Sequence, residues 1–343
     1  RLSLVGSEMC IRDRFYMRST LTAFDKIKSP SEFEERALVL FQYQYENNPV
    51  YRSYCDLINV SPSEVNQLSN IPYLPIQFFK SHKVSCNTAT PKYIFTSSKT
   101  TGQIASSHYV HDIDLYIKSF EKGFEFFYGK IEGYVLLALL PSYMEQENSA
   151  LIYMATHLIQ KTKHPESDFY LENWNTLLST LNRLEKQGQK TILLGVTYAL
   201  LNGAEKQKIR LKHTLIMETG GMKGMRKEWV RSALHEKLQE RYGVQNIHSE
   251  YGMTELLSQA YSKGNGRFYC PPWMRVTTRS AEDPFELLKT GKTGGLNVID
   301  LANVDSCAFL ATQDLGKKHP DGSFEVLGRF DHAEIRGCNL LVV

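Results

Sequence analysis

Four short stretches carry residue types suited to handling a phosphate ester. Thr96, Ser97, Ser98, Thr100 and Thr101 crowd five hydroxyls into seven residues that end at Gly102. Side-chain and backbone donors at such density can hold phosphate oxygens. The stretch lacks the G-x-x-x-x-G-K-[ST] frame, and a plain Ser/Thr-rich surface turn accounts for it equally well when it is taken alone. Glu250-Tyr-Gly-Met-Thr-Glu255 offers the Tyr251 ring to a purine and the Glu255 carboxylate to Mg²⁺, while Gly252 lets backbone approach a ligand. A turn beside a core tyrosine is the plain alternative. Asp314, followed by Leu-Gly, can accept from ribose hydroxyls but equally reads as a turn residue. Arg329, after Gly328, can meet ribose or phosphate, although a solvated arginine is the default.

Three further features bear on chemistry. Gly220 and Gly221 form a loop after an apolar strand, where open α/β sheets line their pockets. Cys338 follows Arg336 by two residues; the guanidinium would favour a thiolate nucleophile, against the usual reading of an inert buried cysteine. His108 and His111 lack the third ligand of a metal site and read as polar surface or pocket-lining residues.

The elements needed to position these residues are legible as alternating strands and helices. Apolar runs at Tyr134–Leu140, Thr191–Val196 and His213–Glu218 have strand length. Helical spacing marks Ser31–Asn47, Asp112–Phe127, Ser149–Ile159, Trp174–Gln187, a segment from Tyr198, and Lys227–Tyr242. Ser31 and Glu34 are spaced as a capping box. Ile71–Ile76 is extended, Lys92–Phe95 is a strand and Ile247 leads a strand into Tyr251. This alternation implies α/β units with a largely parallel sheet. Beyond Cys270, Gly/Asp turns at Thr293-Gly-Gly295 and Pro320-Asp-Gly322 suggest shorter strands in a smaller β-rich part packed on that body.

At 343 residues, 42% of them hydrophobic, the chain can bury one large core or two. A net charge of +3 without dense Lys/Arg blocks gives no case for nucleic acid. Six scattered cysteines without C-x-x-C spacing argue against a disulfide framework or zinc site and point to a reducing cytoplasm. No apolar run reaches the ~20 residues that span a bilayer. Residues 1–14 match nothing that follows. Met9–Arg14 reads like a translated transposon-end sequencing adapter, so 1–14 is expected to be non-native. The remainder divides into a helical N-terminal region (15–95), an α/β nucleotide-binding body (96–269) and a β-rich part completing the active site (270–343).

In order, Ile71–Lys80, Phe95–Ser98, Leu139–Tyr143, Glu218–Gly224, Glu250–Glu255, Leu327–Asp331 and Ile335–Cys338 resemble the LuxE-type acyl-protein synthetases. These are fatty-acid-activating members of the adenylate-forming ligase superfamily. The resemblance implies that the 96–102 loop grips ATP phosphates, Tyr251 faces adenine with Gly252 and Thr254 beside it, and Glu255 holds Mg²⁺. It also implies Asp314 at the ribose, Arg329 at ribose or α-phosphate, and Cys338 as the thiol that receives the acyl group from acyl-AMP. The partner implied is an acyl-CoA or fatty-acid reductase, or an acyl carrier protein. Lys99 stands where the family usually has glycine, and the chain stops soon after Cys338, without the mobile C-terminal domain and its catalytic lysine. Two alternatives stay open. In one, the enzyme loads an acyl carrier protein or CoA with Cys338 merely structural; in the other, the protein is a catalytically silent scaffold subunit.

Overall fold

The computed structural model describes residues 17–97, 104–141, 148–171, 173–220 and 229–330. The N-terminal region opens with helices α1 (Pro30–Asn47) and α2 (Pro49–Leu57). Capping of α1 falls two residues earlier than the Ser31/Glu34 spacing suggests. Ser29 Oγ accepts from Glu32 N at 3.2 Å while Glu32 Oε2 accepts from Lys28 N at 2.7 Å. Pro30 at the first helical turn explains the shift, because it needs no N–H partner there. Two buried amides tie this region to the far end of the chain. Gln44 donates to the carbonyls of Asn303 (2.8 Å) and Val304 (3.1 Å) and accepts from Ala308 N (2.9 Å), and Asn48 donates to Ser306 O (3.0 Å).

Strand β1 (Leu74–Pro75) leads into the short helix α3 (Phe78–Ser81). Strands β2 (Tyr93–Thr96) and β3 (Ser107–Val110) then form a separate antiparallel pair. The α/β body follows: α4 (Ile113–Tyr128), β4 (Val135–Leu139), α5 (Ala150–Thr162), β5 (Asp168–Phe169), α6 (Trp174–Gln187), β6 (Thr191–Val196), α7 (Thr197–Lys206), β7 (Thr214–Thr219), α8 (Arg231–Tyr242) and β8 (Ile247–Tyr251). Every residue of β4 and β6 is buried, as expected of parallel strands covered on both faces. The last strands are β9 (Ala260–Ser262), β10 (Phe268–Tyr269), β11 (Met274–Arg279), β12 (Thr293–Asp300), β13 (Phe309–Lys318) and β14 (Phe324–Arg329).

Among the described residues one sheet runs β11-β12-β13-β14-β10-β9-β8-β7-β6-β4-β5, with β1 beside β13. Its β5 to β8 half is parallel, and from β8 onward the neighbours along this path are antiparallel. The β-rich part is therefore joined edge to edge with the α/β body. Its strands are not short: β12 has eight residues and β13 ten. The glycines that suggested turns lie inside these strands. A Cβ on Gly294 would collide with Arg279 O and one on Gly316 with Glu325 O, so both mark close backbone approach. Pro320–Gly322 does form the turn between β13 and β14, with Gly322 at φ +84°.

Side-chain alternation assigns the two faces of the parallel half. Ser249 points with Glu218 toward Arg231 and His235 of α8. His248 points the other way, to the Tyr128 hydroxyl of α4 at 3.2 Å.

Candidate active site

Polar residues gather at the carboxyl ends of β7 and β8, where ligands sit in open α/β sheets. Glu218 is buried, 3% exposed, and accepts from the hydroxyls of Ser249 (2.8 Å) and Thr197 (3.0 Å) and from Arg231 Nη1. His235 Nε2 lies 3.5 Å away. Burial would push this carboxyl up, but the His235 hydrogen bond and the Arg231 charge outweigh it and hold it below the ordinary carboxylate value. Gly220 O lies 2.9 Å from the same Thr197 hydroxyl, whose one proton Glu218 and the start of the glycine loop share; Gly220 itself has φ +63°. Gly221 lies outside the described residues.

One residue further along, Glu250 faces the opposite side and accepts from the Thr219 hydroxyl. Burial pushes its carboxyl up to about 7. The two neighbouring carboxyls thus differ in charge near neutrality, and the cause is that Glu218 has a cation while Glu250 has only a hydroxyl and the repulsion of Glu218.

Tyr251 ends β8. Its ring is buried edge-on against Phe268 (5.8 Å between centroids) and Phe324 (5.4 Å), and its hydroxyl donates to Asp314 Oδ2 at 2.8 Å. Asp314 Oδ1 accepts from Arg329 Nε at 3.3 Å, across the β13–β14 register in which Asp314 and Arg329 are paired. Three residues picked from distant stretches of sequence therefore form one hydrogen-bonded chain. Asp314 lies within a strand and not in a turn. The Arg329 side chain is 78% exposed, so it is the solvent-facing end of that chain.

The base of the hydroxyl-rich loop meets the Thr254–Glu255 segment. Ser97 N donates to Ser106 O (3.1 Å), Ser106 N donates to Ser97 Oγ (2.9 Å), and Thr96 N donates to Asn148 O (2.8 Å). Ser98, Lys99, Thr100, Thr101 and Gly102 lie outside the described residues, as do Arg336 and Cys338. His108 on β3 is buried, with Nδ1 2.8 Å from Thr254 O; burial lowers its pKa to about 4, so the ring is neutral and Nδ1 carries the donated proton. Glu255 is 6% exposed, and burial pushes its carboxyl up against the opposing hydrogen bond of Ser106. Among the described residues no Lys or Arg reaches it at ion-pair distance; Lys80 and Arg329 act on it only from further off. His111 lines, with His108, Asp305 and Ser306, a cavity of about 10 Å³.

Residues missed in the sequence are Glu218, Ser249, Arg231 and His235, together with Glu250 and Gln259. A carboxylate closing an otherwise apolar strand, as Glu218 does, was the available signal. For Gln259 there was none, since its surroundings exist only once β8 and β9 pair.

This architecture has relatives. A family model described as "Acyl-protein synthetase, LuxE" matches residues 13–343. A long-chain-fatty-acid–luciferin-component ligase of Vibrio harveyi is 23% identical over 325 residues, covering 88% of this chain and 84% of that protein. Among solved structures, a 2-hydroxyisobutyryl-CoA ligase in complex with 2-HIB-AMP matches with a TM-score of 0.61 at 13% identity, over 90% of this chain and 70% of that one. ATP-bound MatB from Rhodopseudomonas palustris matches with a TM-score of 0.53 at 18% identity, over 69% of this chain. The match covers 47% of MatB, about half its length. At these identities the structural likeness is one of fold.

Proposed function

Because the chain belongs to the LuxE acyl-protein synthetase family, within the adenylate-forming ligases, we propose that it activates a carboxylic acid, of the fatty type, with ATP. The acyl group then passes to a protein thiol. What carries this reading is the convergence at the end of β8: Tyr251 bonded to Asp314 and Arg329, and Glu255 beside the base of the hydroxyl-rich loop. On this reading 96–269 is the nucleotide-binding body and 270–343 completes the site through Asp314 and Arg329.

The residues suit the substrates proposed. Glu255 is a buried carboxyl without an ion-pair partner among the described residues, which suits a divalent cation. No cluster of three His, Cys, Asp or Glu ligands occurs among the described residues. A single carboxylate is the donor set Mg²⁺ accepts when water and phosphate oxygens fill the rest of its shell. When bound, Mg²⁺ offsets the charge of the phosphate oxygens. Asp314 would accept from ribose hydroxyls, with Arg329 released toward phosphate, while Tyr251 holds the Asp314 carboxylate in place. The hydroxyls of 96–101 and the N–H groups of the 220–221 loop would bind phosphate oxygens.

In the first step a carboxylate oxygen of the acid forms a bond to the α-phosphorus as the bond to pyrophosphate breaks. In the second the Cys338 thiolate forms a C–S bond to the acyl carbon, AMP leaves with the C–O electron pair, and the thiol proton goes to solvent. The thioester would then serve a partner reductase or carrier.

Acid-dependent ATP–pyrophosphate exchange across fatty and aryl acids tests the first step. Exchange is expected for wild type and a loss of at least ~10²-fold for Glu255→Ala. No exchange from folded protein with any acid would favour the scaffold alternative. Acylation labile to hydroxylamine and lost in Cys338→Ala would establish the internal thiol. Exchange without such acylation would move the acceptor to CoA or a carrier protein.

A further inference from the structure

Arg231 is the first residue of α8, and its side chain makes two different contacts near the carboxyl ends of β7 and β8. Nη1 pairs with Glu218 Oε1 and donates to Ser249 Oγ at 3.3 Å. The guanidinium also lies over the Phe268 ring, 5.1 Å from its centroid. Its stem packs on the turn between β9 and β10, where Gly266 (φ +66°) makes room for it. A Cβ on that glycine would come within 3.0 Å of Arg231 Cδ. The Arg231 side chain is 30% exposed and its carboxylate partner 3%, so water screens this pair little.

Each contact leads to a different wall of the proposed nucleotide site. From Glu218 the path runs to the Thr197 hydroxyl, 3.0 Å away, and from that hydroxyl to Gly220 O at 2.9 Å. From Phe268 it runs to the Tyr251 ring, met edge-on at 5.8 Å, and to Phe324, stacked at 5.5 Å. Thr219 and Glu250 are register partners, so the next residues on the two strands, Gly220 and Tyr251, stand side by side at the strand ends. Alternation places Tyr251 on the α8 face with Ser249, whose hydroxyl bonds Glu218. An apolar stack alone lets a ring slide and tilt. A guanidinium held by a buried carboxylate fixes where the ring beneath it lies.

We propose that Arg231 is a positioning residue for ATP, holding the Gly220 anchor and the Tyr251 ring in fixed relation so that the slot between them is preformed. This role rests on the nucleotide reading above and adds to it a residue that acts through Glu218 and Phe268. The geometry calls for arginine. Lysine keeps the charge for Glu218 but has no planar face to lie on a ring while it does so. A slot that its ligand must first order binds that ligand more weakly, so the defect falls on ATP and not on the acid.

The test compares the full wild-type chain with Arg231→Lys, Phe268→Leu and the double variant, each checked first by melting temperature. In Arg231→Lys, KM for ATP in acid-dependent pyrophosphate exchange should rise about tenfold, while kcat and KM for the acid change less than about twofold. ATP binding to acid-free protein, read by calorimetry, should weaken by the same factor, and this readout needs no turnover. Phe268→Leu should show the same split. Adding Arg231→Lys to it should then cost less than about twofold more, because the ring that Arg231 steers is already gone. A lower melting temperature with unchanged ATP affinity in Arg231→Lys would overturn the proposal and leave an ion pair of stability alone. Full additivity of the two substitutions would overturn it as well. If Arg231→Lys does not fold, wild-type ATP affinity in Phe268→Leu overturns it. Wild type that binds ATP without exchange, and more tightly than Arg231→Lys, would keep the positioning role while the activation reading falls. Wild type that binds no ATP would overturn both.

Discussion

The two halves of the sheet handle polar residues in opposite ways. In the parallel half β4 and β6 are buried throughout, and β7 and β8 turn polar at their carboxyl ends, at Glu218, Thr219, Ser249 and Glu250. In the antiparallel half polar side chains sit within the ladder itself. Asn297 and Asp300 on β12 are fully buried, and Asp314, midway along β13, pairs with Arg329 at the end of β14. Burial on both faces leaves a parallel strand only its end for chemistry, whereas an antiparallel ladder can carry a reactive residue in its middle if a cross-strand partner satisfies it. The candidate site draws on both, since Tyr251 comes from a parallel strand's end and its partner Asp314 from an antiparallel interior.

The contrast can be broken at several points. The largest effect is expected for Asp300→Ala. This carboxylate accepts from the backbone N–H groups of Leu257 (2.8 Å), Ser258 (2.9 Å) and Ala302 (3.1 Å) and from the Ser258 hydroxyl. Leaving them buried and unpaired should cost about 3–5 kcal/mol by urea unfolding. Next is Glu218→Ala, which strands Arg231 and His235 and should cost about 3 kcal/mol. Since the Glu218 pKa is depressed in the folded protein, its contribution is present above the ordinary carboxylate range and lost as pH falls below it.

Glu250→Gln should act in the opposite sense. The folded pKa of Glu250 is raised to about 7, so its stability contribution is complete below the ordinary value of 4.5 and is lost as pH rises through 7. The variant should match wild type at pH 4 and be more stable by about 3 kcal/mol at pH 8, read as melting temperature against pH. Equal pH profiles for Glu218 and Glu250 variants would erase the distinction drawn between the two carboxyls. The smallest expected effect is that of Tyr251→Phe. Loss of the hydrogen bond to Asp314 should remove about 1–2 kcal/mol of stability, and the effect on exchange should appear mainly in KM for ATP. A change in kcat alone would instead tie the hydroxyl to the chemical step.

Legibility followed the same division. Thr191–Val196 and Trp174–Gln187 lie in the structure where apolar runs and helical spacing put them, because a buried parallel strand and an amphipathic helix are local patterns. The β-rich half was harder. Thr293-Gly-Gly295 and the glycine after Asp314-Leu looked like turns, since glycine's commonest local meaning is a turn. Here it admits a neighbouring backbone, a fact set by residues that lie elsewhere in the chain. In the candidate site, Asp314 and Arg329 were singled out separately, but their bond to each other and to Tyr251 depends on strand register. Gln259 carries no motif, and that its oxygen is buried without a partner among the described residues is visible only in the folded chain.

The amides of Gln44 and Asn48 have a consequence in time as well as in space. Their partners at residues 303–308 are synthesised about 260 positions later, as the separations of 258 to 264 residues require. On the ribosome α1 can form as a helix early, but Gln44 on its largely apolar core-facing side has no partner until the connection between β12 and β13 emerges. A helix made among the first residues of the chain thus gains its buried amide partners only when most of the chain has been made.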